Sequence, residues 1–255
     1  MSASENIGWR RLLLKRLRSA GPLPDEALAR LSALDGAQKE FDPDAEIANE
    51  PGAAAIVASG SVYRYRLLAD GRRAVFDLAL PGDLIELAPP APESGVALAA
   101  SSKLQLVLIR QRQIQSVSED SPELAAALEK NAQAQGLRMM AHVLRLSRLT
   151  AYERVLHFLL ETHDRLDVVG LAEDGRFQMP FNQIVLSDAL GMTKFHVNRT
   201  LKRLRTEGRV EINHQTIQLH DTAALAELCE YERWAVANTS PPAETQVALA
   251  RSASH

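Results

Sequence analysis

The chain has 255 residues, which at about 100–200 residues per domain makes one large domain or two ordinary ones. With 46% hydrophobic and 24% charged residues it sits near the globular average, which excludes wholesale disorder and fibrous repeats. The formal net charge of −3, taken over the whole chain, argues against a generic nucleic-acid binder.

No apolar run approaches the roughly 20 residues that span a bilayer. The opening MSASENIGWRRLLLKRLRSAGPLP carries its arginines inside and after the apolar patch, whereas a secretory signal carries them before it. The expectation is a cytoplasmic protein without membrane contact. From Trp9 to Leu34 the pattern reads as one or two helices split at Gly21–Pro24. The basic residues Arg10, Arg11, Lys15, Arg16 and Arg18 are read as a solvated helical face.

From about Gln38 to Val117 the reading is short strands. Val62, Tyr63 and Tyr65 lead through RLLADGRR to Val75, Phe76 and Leu78, and Asp70-Gly71 is a hairpin turn in which both central positions would take positive φ. Pro81-Gly82-Asp83 and Ala88-Pro89-Pro90-Ala91-Pro92 break the chain, and Leu104, Leu106 and Leu108 then recur with period two. Short strands at this spacing suggest an antiparallel sandwich or barrel.

Ser121-Pro122-Glu123 starts a helix with Pro in its first turn, running to Leu149. Ala125, Leu128, Ala132, Gln135, Met139, His142 and Leu146 alternate spacings of three and four, the seam of a coiled coil. A single long core helix is the alternative, because Gln135 and His142 are polar. Thr150-Ala-Tyr-Glu153 is a capping box that opens a further helix.

In the last third Asn182 can cap a helix with apolar Ile184, Val185, Ala189 and Leu190. Gly191 follows, and Thr193 starts a second helix containing Val197, Leu201 and Leu204. Two short helices joined through a glycine turn are a helix-turn-helix, and Gly208 terminates the second. Val210–Ile212 and Thr216–Leu219 flank Asn213-His214-Gln215 as a hairpin that would make a wing. Residues 222–234 read as a final helix and the remainder as a tail.

The local charge departs from the average. Met192–Arg209 holds Lys194, Arg199, Lys202, Arg203, Arg205 and Arg209 against Glu207 alone, net +5. With Val197, Leu201 and Leu204 turned to the core, Lys194, Phe195, Asn198, Arg199 and Lys202 lie on other faces of a helix that fits the major groove, where Arg or Lys reads guanine and Asn reads adenine. The competing reading is a solvated basic surface.

The segment PFNQIVLSDALGMTKFHVNRTLKRLRTEGRVEI, Pro180 to Ile212, and LLADGRRAVFDLALPGDLIEL, Leu67 to Leu87, resemble the Crp/Fnr superfamily of bacterial transcription regulators, and the order of parts matches to about Trp234. The resemblance implies an α+β chain with an N-terminal antiparallel β-roll of the cyclic-nucleotide-binding, jelly-roll kind, a long dimerisation helix and a C-terminal winged helix-turn-helix. The expected divisions are 1–120, 121–149, 150–236 and a tail at 237–255. It implies base contacts from Lys194, Phe195 and Arg199, and phosphate contacts from Asn182, Gln183, Thr193, His196, Asn198 and Lys202. Phe195 either meets a thymine methyl or packs under the wing, and His196 either meets phosphate or is buried. Common family members carry glutamate where this chain has Phe195, so their half-site preference does not transfer.

An effector pocket would involve Gly82, Asp83, Glu93 and Ser94. Relatives that bind cyclic AMP place an arginine where Glu93 stands, and Leu80–Ser102 has no Lys or Arg but has Asp83, Glu86 and Glu93. A phosphate would meet net −3, and charge-assisted contacts dominate phosphate affinity, so no useful cyclic AMP binding is expected. The single cysteine, Cys229, excludes a cluster held by several thiolates of one chain. It is read as an inert core thiol. Residues 1–141 contain no His or Cys, so no cofactor or metal is expected in the sensor.

The functional expectation is a homodimeric, sequence-specific DNA-binding regulator acting on an inverted-repeat operator. The alternative is a small-molecule-binding or metal-independent enzyme module on the roll, with the winged helix used for protein contacts. Activation would bring RNA polymerase as a partner, and no motif marks a surface for it.

Overall fold

The computed structural model describes residues 3–88 and 91–233; the tail expected at 237–255 lies outside them. Helices α1 (Ala3–Arg18) and α2 (Asp25–Ser32) open the chain, separated where expected. Trp9, Leu13 and Leu17 bury one face of α1 against Ile56 and Leu124. Arg16 is in helical phase with these residues and is buried too, at 4% exposure. It is not part of a solvated face.

Eight strands follow: β1 (Ala37–Phe41), β2 (Glu46–Ile47), β3 (Ala53–Ser59), β4 (Val62–Leu67), β5 (Arg73–Ala79), β6 (Leu84–Glu86), β7 (Val96–Ala100) and β8 (Leu104–Arg110). They form two four-stranded antiparallel sheets, in the orders β1-β8-β3-β6 and β2-β7-β4-β5. Between the sheets Ile47, Val57, Val62, Ile85, Leu98 and Leu106 make an aliphatic core. The β4–β5 connection differs from the expected two-residue turn. Leu68 N donates to Arg72 O at 2.8 Å and only Gly71 takes positive φ, at 84°. That leaves three residues in the loop, with Gly alone in the left-handed position.

The strand pattern ends at Arg110, earlier than expected, because α3 (Gln111–Glu119) follows directly. Ser121 then caps α4 (Pro122–Ser147) by accepting from Leu124 N. The inward face of α4 is Leu124, Ala127, Asn131, Ala134, Arg138, Ala141 and Arg145. Three of these are polar, and the face lies beside the seam expected to meet a second copy, of which Ala125, Ala132 and Met139 are exposed. Two members of the expected seam also face the roll: Gln135 Nε2 donates to Leu84 O at 3.2 Å, and His142 lies over β5. Met140 and Val143 are left 64% and 57% exposed, beside Met139 and Leu144.

The capping box at Thr150 closes in both directions, Glu153 N to Thr150 Oγ1 and Thr150 N to Glu153 Oε2, and starts α5 (Ala151–Val168). Residues Val155 to Leu166 of α5 are buried without interruption. An all-round buried helix lies between two layers; here one layer is the roll and the other is the winged unit. That unit contains β9 (Ala172–Glu173) and β10 (Arg176–Gln178), which the periodicity did not reveal. It continues through α6 (Gln183–Ala189), α7 (Lys194–Thr206), β11 (Val210–Asn213), β12 (Thr216–Leu219) and α8 (Thr222–Leu228), with sheet order β11-β12-β10-β9. Helix α8 is shorter than expected. Tyr231 beyond it returns to α5, its hydroxyl donating to Asp164 at 3.0 Å.

The turn at Gly82-Asp83 fastens these parts together. Asp83 is 2% exposed, and its carboxylate accepts from Leu80 N at 2.8 Å. It pairs with Arg16 of α1 at 3.2 Å and with Arg165 of α5. Arg165 also donates to Leu78 O at 2.7 Å, and Arg16 to Arg165 O at 3.0 Å. Burial alone would raise the Asp83 carboxyl, but the two guanidinium groups hold it well below the usual carboxylate range. Gly82 takes φ 88°, and a Cβ there would sit 2.8 Å from Val169 Cγ1, so only glycine allows the turn to touch α5. Arg145 pairs with Glu161 one layer away.

Two outcomes follow for stability. Asp83→Asn would leave Arg16 and Arg165 buried without their shared carboxylate, and should cost about 3–5 kcal/mol in urea unfolding; a cost under about 1 kcal/mol would show the tie to be incidental. His157 of α5, packed edge-on at 5.0 Å against Tyr231, has its pKa lowered to about 4 by burial and by Arg145. The unfolded chain therefore binds more protons between pH 6.5 and 4, and stability falls with acidification across that window, by about 3 kcal/mol from this ring. His157→Phe should flatten the slope measured by denaturant titration at stepped pH.

Candidate nucleic-acid interface

Helix α7 is built to present one face and bury the other. Thr193 caps it by accepting from His196 N at 3.3 Å, while Val197, Thr200, Leu201 and Leu204 go into the core. Lys194, Phe195, His196, Asn198, Arg199 and Lys202 are all exposed. The expected base-contacting residues Lys194, Phe195 and Arg199 therefore share one free surface. Phe195 is 70% exposed and does not pack under the wing. The Arg199 guanidinium lies 5.9 Å from its ring centroid, a cation–π pair that orients both side chains outward. His196 is exposed, so its buried reading is excluded; its ring stands 6.0 Å from that of Phe195.

A groove runs between α7 and the first wing strand, lined by Gln183, Asn198, Lys202, Arg205, Glu211 and Asn213 among others. Three of the expected phosphate-contacting residues, Gln183, Asn198 and Lys202, thus come together there with Arg205, and Thr193 stands exposed at the start of α7. Asn182 does not join them. Its Oδ1 accepts from Ile184 N and Val185 N, both at 3.0 Å, and its Nδ2 donates to Ser101 O of the roll at 3.2 Å. The side chain is committed to capping α6 and to holding it against the roll. Arg203 is likewise engaged, with Glu207 at 2.7 Å and over the Tyr152 ring at 4.7 Å.

Further contacts fix the orientation of the winged unit. Ser61 Oγ donates to Pro180 O, and Arg73 of β5 pairs with Asp188 of α6 at 2.9 Å. Neither was anticipated, since each joins residues more than 100 positions apart.

The expected effector residues do not assemble. Gly82 and Asp83 form the buried tie described above, Glu93 is exposed on a 3-10 turn (Pro92–Ser94), and Ser94 Oγ accepts from Val96 N at 3.3 Å. The space between the sheets, where a roll would hold a ligand, is filled by aliphatic side chains. Cys229 is buried, and burial pushes its thiol up to about 12, which keeps it protonated and unreactive.

Among known proteins, the Crp-like helix-turn-helix domain matches residues 153–228. The nitrogen fixation regulation protein FixK of Azorhizobium caulinodans is 31% identical over 178 residues, covering 68% of this chain and 70% of that protein. The transcriptional activatory protein AadR of Rhodopseudomonas palustris is 27% identical over 205 residues, 79% of this chain and 83% of that one. The solved structure of FixK2 from Bradyrhizobium japonicum superposes with a TM-score of 0.65 at 29% identity, covering 76% of this chain and 98% of that chain. These relatives are regulators and not enzymes. With the sandwich of two sheets, the long α4 and the exposed basic face of α7, they show that the chain belongs to the Crp/Fnr superfamily and is a DNA-binding transcription regulator.

Proposed function

We propose that the protein binds an inverted-repeat operator as a homodimer, with α7 of each copy in the major groove. The observation that carries this reading is the shared exposure of Lys194, Phe195 and Arg199 on one face of α7. Arg199 and Lys194 would donate to guanine edges, and Phe195 would meet a thymine methyl. Gln183, Thr193, His196, Asn198 and Lys202 would take the flanking phosphates, with Arg205 adding to the salt-dependent part of the affinity. Such a regulator would act in the cytoplasm.

The dimer is supported by the outer side of α4. Ala132, Gly136, Met140 and Val143 follow spacings of four, four and three, with Met139 beside them, and are exposed, a stripe that a second copy would cover in a two-fold, self-complementary contact. Such a dimer would set the two recognition helices about 34 Å apart, one turn of DNA.

Capture from a random duplex pool at physiological salt, followed by sequencing, should enrich an inverted repeat; enrichment of single half-sites would refute the dimeric reading. On the enriched site Arg199→Ala should weaken binding by about 1–3 kcal/mol and relax preference at one base pair. An equal loss on every sequence would reassign Arg199 to phosphate. Replacing Met140 and Val143 together by Glu should give a monomer by sedimentation and lower affinity for the full repeat by about 100-fold or more. A dimer that persists would move the interface elsewhere.

A further inference from the structure

Between β5, the C-terminal half of α4 and the middle of α5 lies a cavity of about 20 Å3, lined by Asp77, Arg138, His142, Arg145, Glu161 and Arg165 among others. It is separate from the space between the two sheets and from the DNA-facing surface. Arg138 is 6% exposed, and its Nε is buried without a hydrogen-bond partner. The other charges around it are committed to each other: Arg145 to Glu161, Arg165 to Asp83 and Glu161, and Arg16 to Asp83. Neither Arg138 nor Asp77 has an ion pair within 4 Å among the described residues, and Asp77 is only half-buried at the rim. Four guanidinium groups, those of Arg16, Arg138, Arg145 and Arg165, face the three carboxylates of Asp77, Asp83 and Glu161. His142 adds no further positive charge, because burial and Arg145 lower its pKa and favour the neutral ring. One positive charge is left over in a buried place.

A buried charge without a partner costs several kcal/mol, and a guanidinium does not escape the cost by losing its proton. The void exceeds the roughly 10–15 Å3 that a single water-sized occupant needs, and it is far too small for a nucleotide. We propose that this cavity is an anion site, in which one halide-sized monoanion sits against Arg138 and balances the excess charge where the β-roll, α4 and α5 meet. The occupant accepts hydrogen bonds from the Arg138 guanidinium and so joins α4 to the layer that carries the winged unit.

The test is thermal unfolding of the full chain at constant ionic strength, with chloride exchanged against gluconate, which is too bulky to enter. The midpoint should rise by about 2–4 °C and saturate with chloride. The rise should vanish in Arg138→Met and persist in Arg112→Gln, a change at an exposed arginine of α3. No chloride dependence in the native chain, or the same dependence in Arg138→Met, would overturn the site. Bromide soaked into crystals of the native protein gives a readout that needs no variant. An anomalous peak beside Arg138 is expected, and peaks confined to the surface would mean an adventitious ion only.

Discussion

One carboxylate organises the relation between the halves of this protein. Asp83 sits in a turn of the roll, sealed from water, and receives one arginine from the N-terminal helix and another from the helix that precedes the winged unit. A charge taken out of water needs its partners in place, so these three elements cannot drift apart without exposing an unpaired ion. The contacts around it act in the same direction. Gly82 lets the turn reach Val169, and Asn182 spends its amide on the roll while its oxygen caps α6. The orientation of the winged unit thus comes from polar bonds to the roll as well as from the α4–α5 connection.

This arrangement bears on how the family's architecture is used here. The N-terminal unit is a roll by topology, yet its interior is closed by aliphatic packing, and the turn expected to cradle a phosphate is part of the joint. Polar, unbalanced chemistry lies instead beside α4, where the inward face carries Asn131, Arg138 and Arg145 among small apolar residues. The same helix turns methionines and a valine outward. Its two sides differ in kind: one is fitted with charge to the rest of its own chain, while the other is left apolar and exposed.

The parts legible in the sequence were those governed by local rules. Ser121, Thr150, Asn182 and Thr193 each cap the helix expected of them, because a short polar side chain answers nearby backbone N–H groups wherever the chain goes next. The exposed face of α7 followed from the phase of Val197, Leu201 and Leu204. What stayed hidden depended on distant partners. Arg16 looked like one basic residue among five until Asp83 met it, and the inward face of α4 went unread because buried Asn131, Arg138 and Arg145 do not register in a count of apolar residues. Strands β9 and β10, of two and three residues, were too short to show a period at all.

The continuous burial of α5 from Val155 to Leu166 has a consequence for how the molecule comes apart. A helix covered on every side belongs to both neighbouring layers, so neither layer can open without stripping water-averse surface from the other. The chain should then melt in one cooperative step despite its two-part appearance, with the amides of α5 among the last to exchange their hydrogens. A winged unit cut free of the roll would carry one flank of α5 bare, and its natural fate would be association or collapse in place of independent life.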